Sequence, residues 1–237
     1  MRVGIAGCGL IGGSLALALR TAHEVRAYDP AGTGDIPSVP RVEDLLGCEV
    51  IVVATPLDQV VPTLRRLAAR ADGAVLMDVG SLKRDVDAFA ASAPATARIV
   101  GGHPMAGTTE RGYAAARADL FTDRPFFLVP TARSDERSMT AAGDLARAVG
   151  AVPTVVSAAE HDRIVAVLSG LPLLVARALA RVGADVADLA GPGFRDATRL
   201  AKTPPELADA LLHGNASEIR AALAKLRAAL DEAERAL

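Results

Sequence analysis

The apolar positions of this chain fall into two textures. Up to about residue 156, short runs of aliphatic and β-branched residues alternate with stretches in which apolar residues recur every three or four positions. The runs "RVGIAG" (2–7), "EVRAYDP" (24–30, closing at Asp29), "CEVIVVATP" (48–56), "GAVLMDVGS" (73–81), "ARIVGGHP" (97–104) and "PFFLVP" (125–130) predict strands. A shorter run, "AVPTVV" (151–156), adds an edge strand. Helical spacing over 11–22, 58–71, 82–91 and 134–149 separates most of them. Such alternation predicts an α/β fold, a mostly parallel sheet with helices on both faces. One crossover is anomalous. Between Asp29 and the helix-like "VEDLLG" lies only "PAGTGDIPSVPR", too rich in Gly and Pro for a full helix, so that wall of the sheet is expected to be a loop.

Beyond residue 157 the pattern is helical throughout, with breaks at Gly191–Gly193 and Pro204–Pro205. The division predicted is a sheet domain over 1–156 and an all-helical domain over 157–237. In the last segment Ile219, Leu223, Leu226, Leu230 and Leu237 form an apolar stripe at helical spacing, and Asn215 with Glu218 three residues on resembles a helix start. That stripe packs on its own domain or on a second copy of the chain; the second alternative predicts a homodimer.

Composition narrows the classes. The 237 residues carry 26 Lys and Arg against 28 Asp and Glu, so no basic surface for nucleic acid is expected. The two cysteines, Cys8 and Cys48, sit in apolar contexts and read as buried thiols of a reducing compartment, and no metal-ligand spacing is present. The N-terminus runs directly into a strand and turn, without the pattern of a signal peptide. The longest apolar run, "IVAVLSGLPLLVA", is short for a bilayer and is flanked by Arg163 and Arg177. A cytoplasmic protein with no membrane partner is the expectation.

The chemistry starts at "GCGLIGGS" (7–14). Gly7, Gly9 and Gly12 give G-x-G-x-x-G between a strand and a helix, the context in which a Rossmann-like turn cradles a pyrophosphate on a helix N-terminus. Asp29 ends the next strand, where a carboxylate accepts hydrogen bonds from ribose hydroxyls and repels a 2′-phosphate. NAD is therefore expected over NADP. The alternative is that Asp29 only caps the turn before Pro30.

Reactive groups in open α/β sheets gather beyond the carboxyl ends of the strands. "ATPLD" (54–58), "DVGSLK" (78–83) and "GGHPMAG" (101–107) lie at such ends, so Ser81 and His103 are expected near one spot, with His103 able to serve as a general base. Of the other histidines, His161 reads as structural, and His23 and His213 as exposed.

The motifs "GLIGGS", "ATP", "DVGSLK", "GGHPMAGTTERG", "EHD…LSGLP" and "GFRDATRLA" occur in the order found in the prephenate/arogenate dehydrogenase family of tyrosine biosynthesis, which the chain resembles from residue 3 to about 203. The resemblance implies an N-terminal NAD-binding domain, a C-terminal helical dimerisation domain, and oxidative decarboxylation of a cyclohexadienol, prephenate or arogenate, to 4-hydroxyphenylpyruvate or tyrosine. It implies a cofactor site at Gly7, Gly9, Leu10, Ile11, Gly12, Asp29, Thr55 and Pro56. His103 then takes the ring-hydroxyl proton with support from Ser81. Arg199, ahead of Arg195, binds a substrate carboxylate, and Ser169 lines the substrate side. The family commonly has "SHLPH" where this chain has "SGLPLL" (169–174), so Gly170 and Leu173 replace two histidines. That departure favours arogenate or a mixed specificity. An aminated prephenate of secondary metabolism, or a catalytically silent NAD-binding sensor, are the alternatives.

Overall fold

The computed structural model describes residues 1–108 and 110–237 and divides the chain into two compact units, Met1–His161 and Asp162–Leu237. The first unit is built on a sheet of β1 (Arg2–Ala6), β2 (Glu24–Tyr28), β3 (Val50–Val53), β4 (Val75–Asp78), β5 (Arg98–Pro104), β6 (Pro125–Pro130) and β7 (Val152–Val155). Their order is β2-β1-β3-β4-β5-β6-β7. All neighbours are parallel except β5 and β6, which run antiparallel with His103 opposite Phe127. The central strands "VIVV" and "VLMD" are buried at every position, as strands covered on both faces must be.

Each face has its own core. On one, Leu15 and Leu19 of helix α1 (Leu10–Leu19) share a cluster with Phe121, Phe126 and Leu145, the last from α4 (Glu136–Ala148). On the other, Leu64 and Leu67 of α2 (Leu57–Ala68) meet Phe89 and Ala90 of α3 (Arg84–Ser92). Helix α1 stops at Leu19, short of the expected residue 22. Helix α4 starts at a capping box, in which the Asp135 carboxylate accepts from the Ser138 amide; that bond first, with Arg98 second, draws its pKa down to about 2.

The anomalous crossover is resolved as expected. After β2 the chain runs back beside its edge, with Ala27 N–H donating to Pro37 O (2.8 Å) and Val39 N–H to Ala27 O (2.9 Å), and then makes a 3-10 turn over Val42–Gly47. The loop thus covers an edge that a crossover helix would otherwise shield. At the other edge, Val152 and Val155 of β7 stay exposed.

In the second unit a π-turn at Ala166–Gly170 joins α5 (Ala158–Val165) to α6 (Leu171–Val182) without a break. The resulting 25-residue helix is long and apolar enough to cross a membrane by length and composition alone, which corrects the estimate made from the shorter run "IVAVLSGLPLLVA". α7 (Pro192–Thr198), α8 (Pro205–Gly214) and α9 (Ala216–Glu234) complete the unit. Its core is thin: Val165, Ala166, Leu173, Ala176, Ala208, Ile219 and Ala222 are buried, while Val182, Val186 and Leu189 are exposed. Along the α9 stripe Ile219 is buried, Leu223 and Leu226 half-buried, and Leu230 and Leu237 exposed. Asn215 precedes α9, but its side chain does not cap it; Nδ2 donates instead to the Asp162 carbonyl at 2.7 Å.

Candidate active site

The glycine loop is shaped by three different requirements. Gly7 follows β1 with φ +96°, and a Cβ there would sit 2.6 Å from the Ala54 carbonyl oxygen. Its amide donates to Tyr28 O at 2.8 Å, closing the turn against β2. A Cβ on Gly12 would run into the Gly7 carbonyl, so this glycine lets α1 approach the strand. Gly9 has nothing within 4 Å of its absent side chain. The space there is open, and the amides of Leu10, Ile11 and Gly12 in the first turn of α1 have no intrahelical acceptor.

Asp29 is half-buried beyond β2. One carboxylate oxygen accepts from the Cys8 amide (2.6 Å) and the other from the Ala31 amide (2.8 Å). The group thus braces the glycine loop and caps the local turn. A carboxylate has about four lone-pair sites, so acceptor capacity remains. Thr55 follows β3, with its amide 2.8 Å from the position of a Gly7 Cβ, and its buried hydroxyl oxygen has no partner among the described residues. Pro56 is exposed and precedes α2. An open glycine, free helix amides and an orphaned hydroxyl fit a dinucleotide's polar groups. Burial first, with Asp29 and Asp35 adding, pushes the Cys8 thiol up to about 11, so it is inert.

Two strands along, the site is made of side chains. Asp78 ends β4 and Lys83 precedes α3; both are completely buried and form an ion pair. Gly80 N–H also donates to the Asp78 carboxylate at 2.9 Å. Burial raises the Asp78 pKa, and Lys83 opposes that shift. Register places Asp78 beside Gly101, and the diglycine before His103 now has a reason. A Cβ on Gly101 would press on the Lys83 stem at 2.9 Å, and one on Gly102 on the Asp78 carbonyl at 2.6 Å.

His103 stands half-buried near the end of β5. Its Nδ1 lies 2.9 Å from Nε2 of His161, a fully buried residue of α5 whose ring also meets Phe127 edge-on at 5.4 Å. Burial above all, with the charge of Lys83 adding, holds the His103 pKa well below the ordinary imidazole value. Ser81 is half-buried in the loop between β4 and α3, on the strand end adjoining that of His103. Sequence reasoning singled out Ser81 and His103 but missed Asp78 and Lys83, although both lie in the quoted "DVGSLK". It read His161 as structural, and did not connect it with His103, which its ring contacts. His23 is half-buried rather than exposed; His213 is exposed.

The remaining candidates belong to the second unit. Ser169 is half-buried in the π-turn, and Arg199 is exposed at the start of a 3-10 turn, Arg199–Lys202. Arg195 is exposed on α7. A side chain on Gly170 would meet Ile219 Cδ1 at 2.6 Å, and Leu173 is buried, so packing fills both positions at which the family carries histidine.

Comparison with known proteins follows this division. Residues 21–155 match the family model described as prephenate dehydrogenase, nucleotide-binding domain, and residues 157–237 match prephenate dehydrogenase, dimerization domain. A prephenate dehydrogenase of Bacillus subtilis is 31% identical over 88% of this chain and 63% of its own length, so the chain spans less than two thirds of that relative. A cyclohexadienyl dehydrogenase of Zymomonas mobilis is 28% identical over 90% of this chain and 80% of its own length. The crystal structure of Synechocystis arogenate dehydrogenase superposes with a TM-score of 0.84 at 28% identity, covering 98% of this chain and 90% of that one.

Proposed function

The chain belongs to the prephenate dehydrogenase family, and we propose that it oxidises and decarboxylates a cyclohexadienol, prephenate or arogenate, to 4-hydroxyphenylpyruvate or tyrosine with NAD. The single observation that carries this reading is His103, a half-buried imidazole at a strand end with its pKa held low and its Nδ1 already engaged. A neutral imidazole there can accept the hydroxyl proton of the substrate. NAD⁺, when bound, supplies the hydride acceptor. Gly7, Gly9, Leu10, Ile11 and Gly12 would hold its pyrophosphate, Asp29 its ribose hydroxyls, and Thr55 and Pro56 the neighbouring wall. His103 takes the ring-hydroxyl proton, Ser81 supports that hydrogen bond, and the same proton returns to the phenolic oxygen once CO₂ has left and the ring is aromatic. Arg199 anchors a substrate carboxylate through its guanidinium, and Ser169 lines the substrate side. On this reading residues 1–156 are the NAD domain and 157–237 the substrate and dimerisation domain. The filled space at Gly170 and Leu173 favours arogenate or mixed specificity over strict use of prephenate.

Steady-state kinetics with prephenate and arogenate, each with NAD⁺ and NADP⁺, test the reading. Turnover of neither substrate with NAD⁺ would leave the silent sensor as the better account. We further propose that the exposed apolar residues of the second unit are covered by a second copy in a soluble, cytoplasmic homodimer. Light scattering that returns an active monomer at micromolar concentration, or recovery in the membrane fraction, contradicts this.

A further inference from the structure

We propose that His161 is a positioning residue: its Nε2 accepts the Nδ1 proton of His103 and so keeps His103 in the tautomer whose Nε2 is bare. The inference deepens the reading of His103 as proton acceptor and rests on it. The two nitrogens lie 2.9 Å apart, a hydrogen-bond distance, and only one proton can lie between them. If His161 donated it, the neutral His103 ring would carry its own proton on Nε2 and could not take the substrate's. If His103 donates it, Nε2 keeps a lone pair for the substrate hydroxyl. The His161 ring is held firmly in place for that role, being completely buried, edge-on to Phe127, and set on a backbone whose amide donates to Ser157 O at 2.8 Å.

The arrangement also suits the charge. When His103 gains a proton it goes on donating from Nδ1 to the same acceptor, so no group has to move. In a serine-protease triad the orienting acceptor is a carboxylate, which stabilises the imidazolium. Here, among the described residues, the charged side chain acting on His103 is Lys83 before α3, itself paired with Asp78 on β4, and the acceptor from α5 is an imidazole. A neutral acceptor orients the base without holding the proton on it, and the proton must be given back when the ring becomes aromatic.

The test uses the full-length protein. ¹⁵N NMR of histidine-labelled protein, with His103 assigned through a His103→Asn variant, is expected to find Nδ1 protonated and Nε2 unprotonated in the neutral ring; the reverse tautomer overturns the proposal. His161→Leu is expected to lower kcat about 10- to 100-fold with NAD⁺ affinity unchanged, as loss of the partner on the far ring nitrogen does elsewhere. His161→Gln, which returns an acceptor near the same place, is expected to recover most of it. His161→Glu is expected to move the acid limb of kcat/KM to higher pH. Wild-type kcat and pH profile in His161→Leu, or an unmoved limb in His161→Glu, overturn it. The two readings fail separately. Full turnover in His103→Asn removes the general base while the tautomer result stands, and an inactive His103→Asn with a reversed tautomer removes only the role of His161.

Discussion

The glycine loop and the histidine site lie at the carboxyl ends of one set of parallel strands, yet they are made of different material. Beside β1 and β2 the surface is shaped by side chains that are missing, at Gly7, Gly9 and Gly12, and its donors are backbone amides. Beside β4 and β5 it is shaped by side chains that are buried, Asp78, Lys83 and His161, which set the charge and orientation around His103. A surface made of backbone binds through shape, and its chemistry survives many changes nearby. A surface made of buried polar groups depends on every partner being present.

The largest effect is expected at the side-chain end. His103→Asn should lower kcat by about 10²- to 10⁴-fold, the usual worth of a general base, with NAD⁺ affinity nearly unchanged. The wild type adds a pH test. The base works when neutral, so activity holds above its pKa and is lost as pH falls through it. Because burial above all, with the Lys83 charge adding, disfavours the charged ring, the acid limb of kcat/KM should lie below the ordinary value of about 6.5 and vanish in the variant. A limb at or above that value contradicts the electrostatics described.

Lys83→Met comes next. It leaves the Asp78 carboxylate buried and unpaired, and should cost about 3–5 kcal/mol of stability in urea unfolding. Adding Asp78→Asn should recover much of that loss. A single variant as stable as the wild type would mean that the pair is not maintained in solution.

At the backbone end the glycines should separate. Gly7→Ala meets both a positive φ and a carbonyl oxygen, and should cost about 1–3 kcal/mol of folding stability. Gly9→Ala should leave the urea midpoint where it was and weaken NAD⁺ binding measured by calorimetry. Equal loss of stability in the two would erase the distinction. The smallest effect is expected at Asp29→Ser, which should narrow the preference for NAD⁺ over NADP⁺ about tenfold, on the order of 1.4 kcal/mol. Since Asp29 also holds the Cys8 amide, part of the narrowing should appear as weaker NAD⁺ binding.

The same contrast explains what the sequence made legible. Strand positions, the glycine turn, Asp29 and the missing crossover helix follow from local rules on a few adjacent residues. His103 was noticeable because it interrupts a strand end. His161 was not, because its relation to His103 spans 58 residues and depends on β5 and α5 meeting, which no local pattern encodes. Lys83 ordinarily reads as solvent-facing, and only the diglycine at 101–102, making room for its stem, hinted otherwise. Asn215 satisfied a capping pattern, but a buried carbonyl at Asp162 claims its amide. The π-turn joining α5 to α6 left no mark that separates one long helix from two shorter ones.

Gly9 differs from its two companions in what maintains it. Gly7 and Gly12 are required by the fold itself, since a methyl group at either would strike neighbouring backbone whether or not a nucleotide is present. Nothing in the protein presses on Gly9. Only a bound ligand can penalise a side chain there, so selection at this position acts through occupancy alone. A lineage that gave up its nucleotide while keeping the fold would retain the outer two glycines and drift at the middle one.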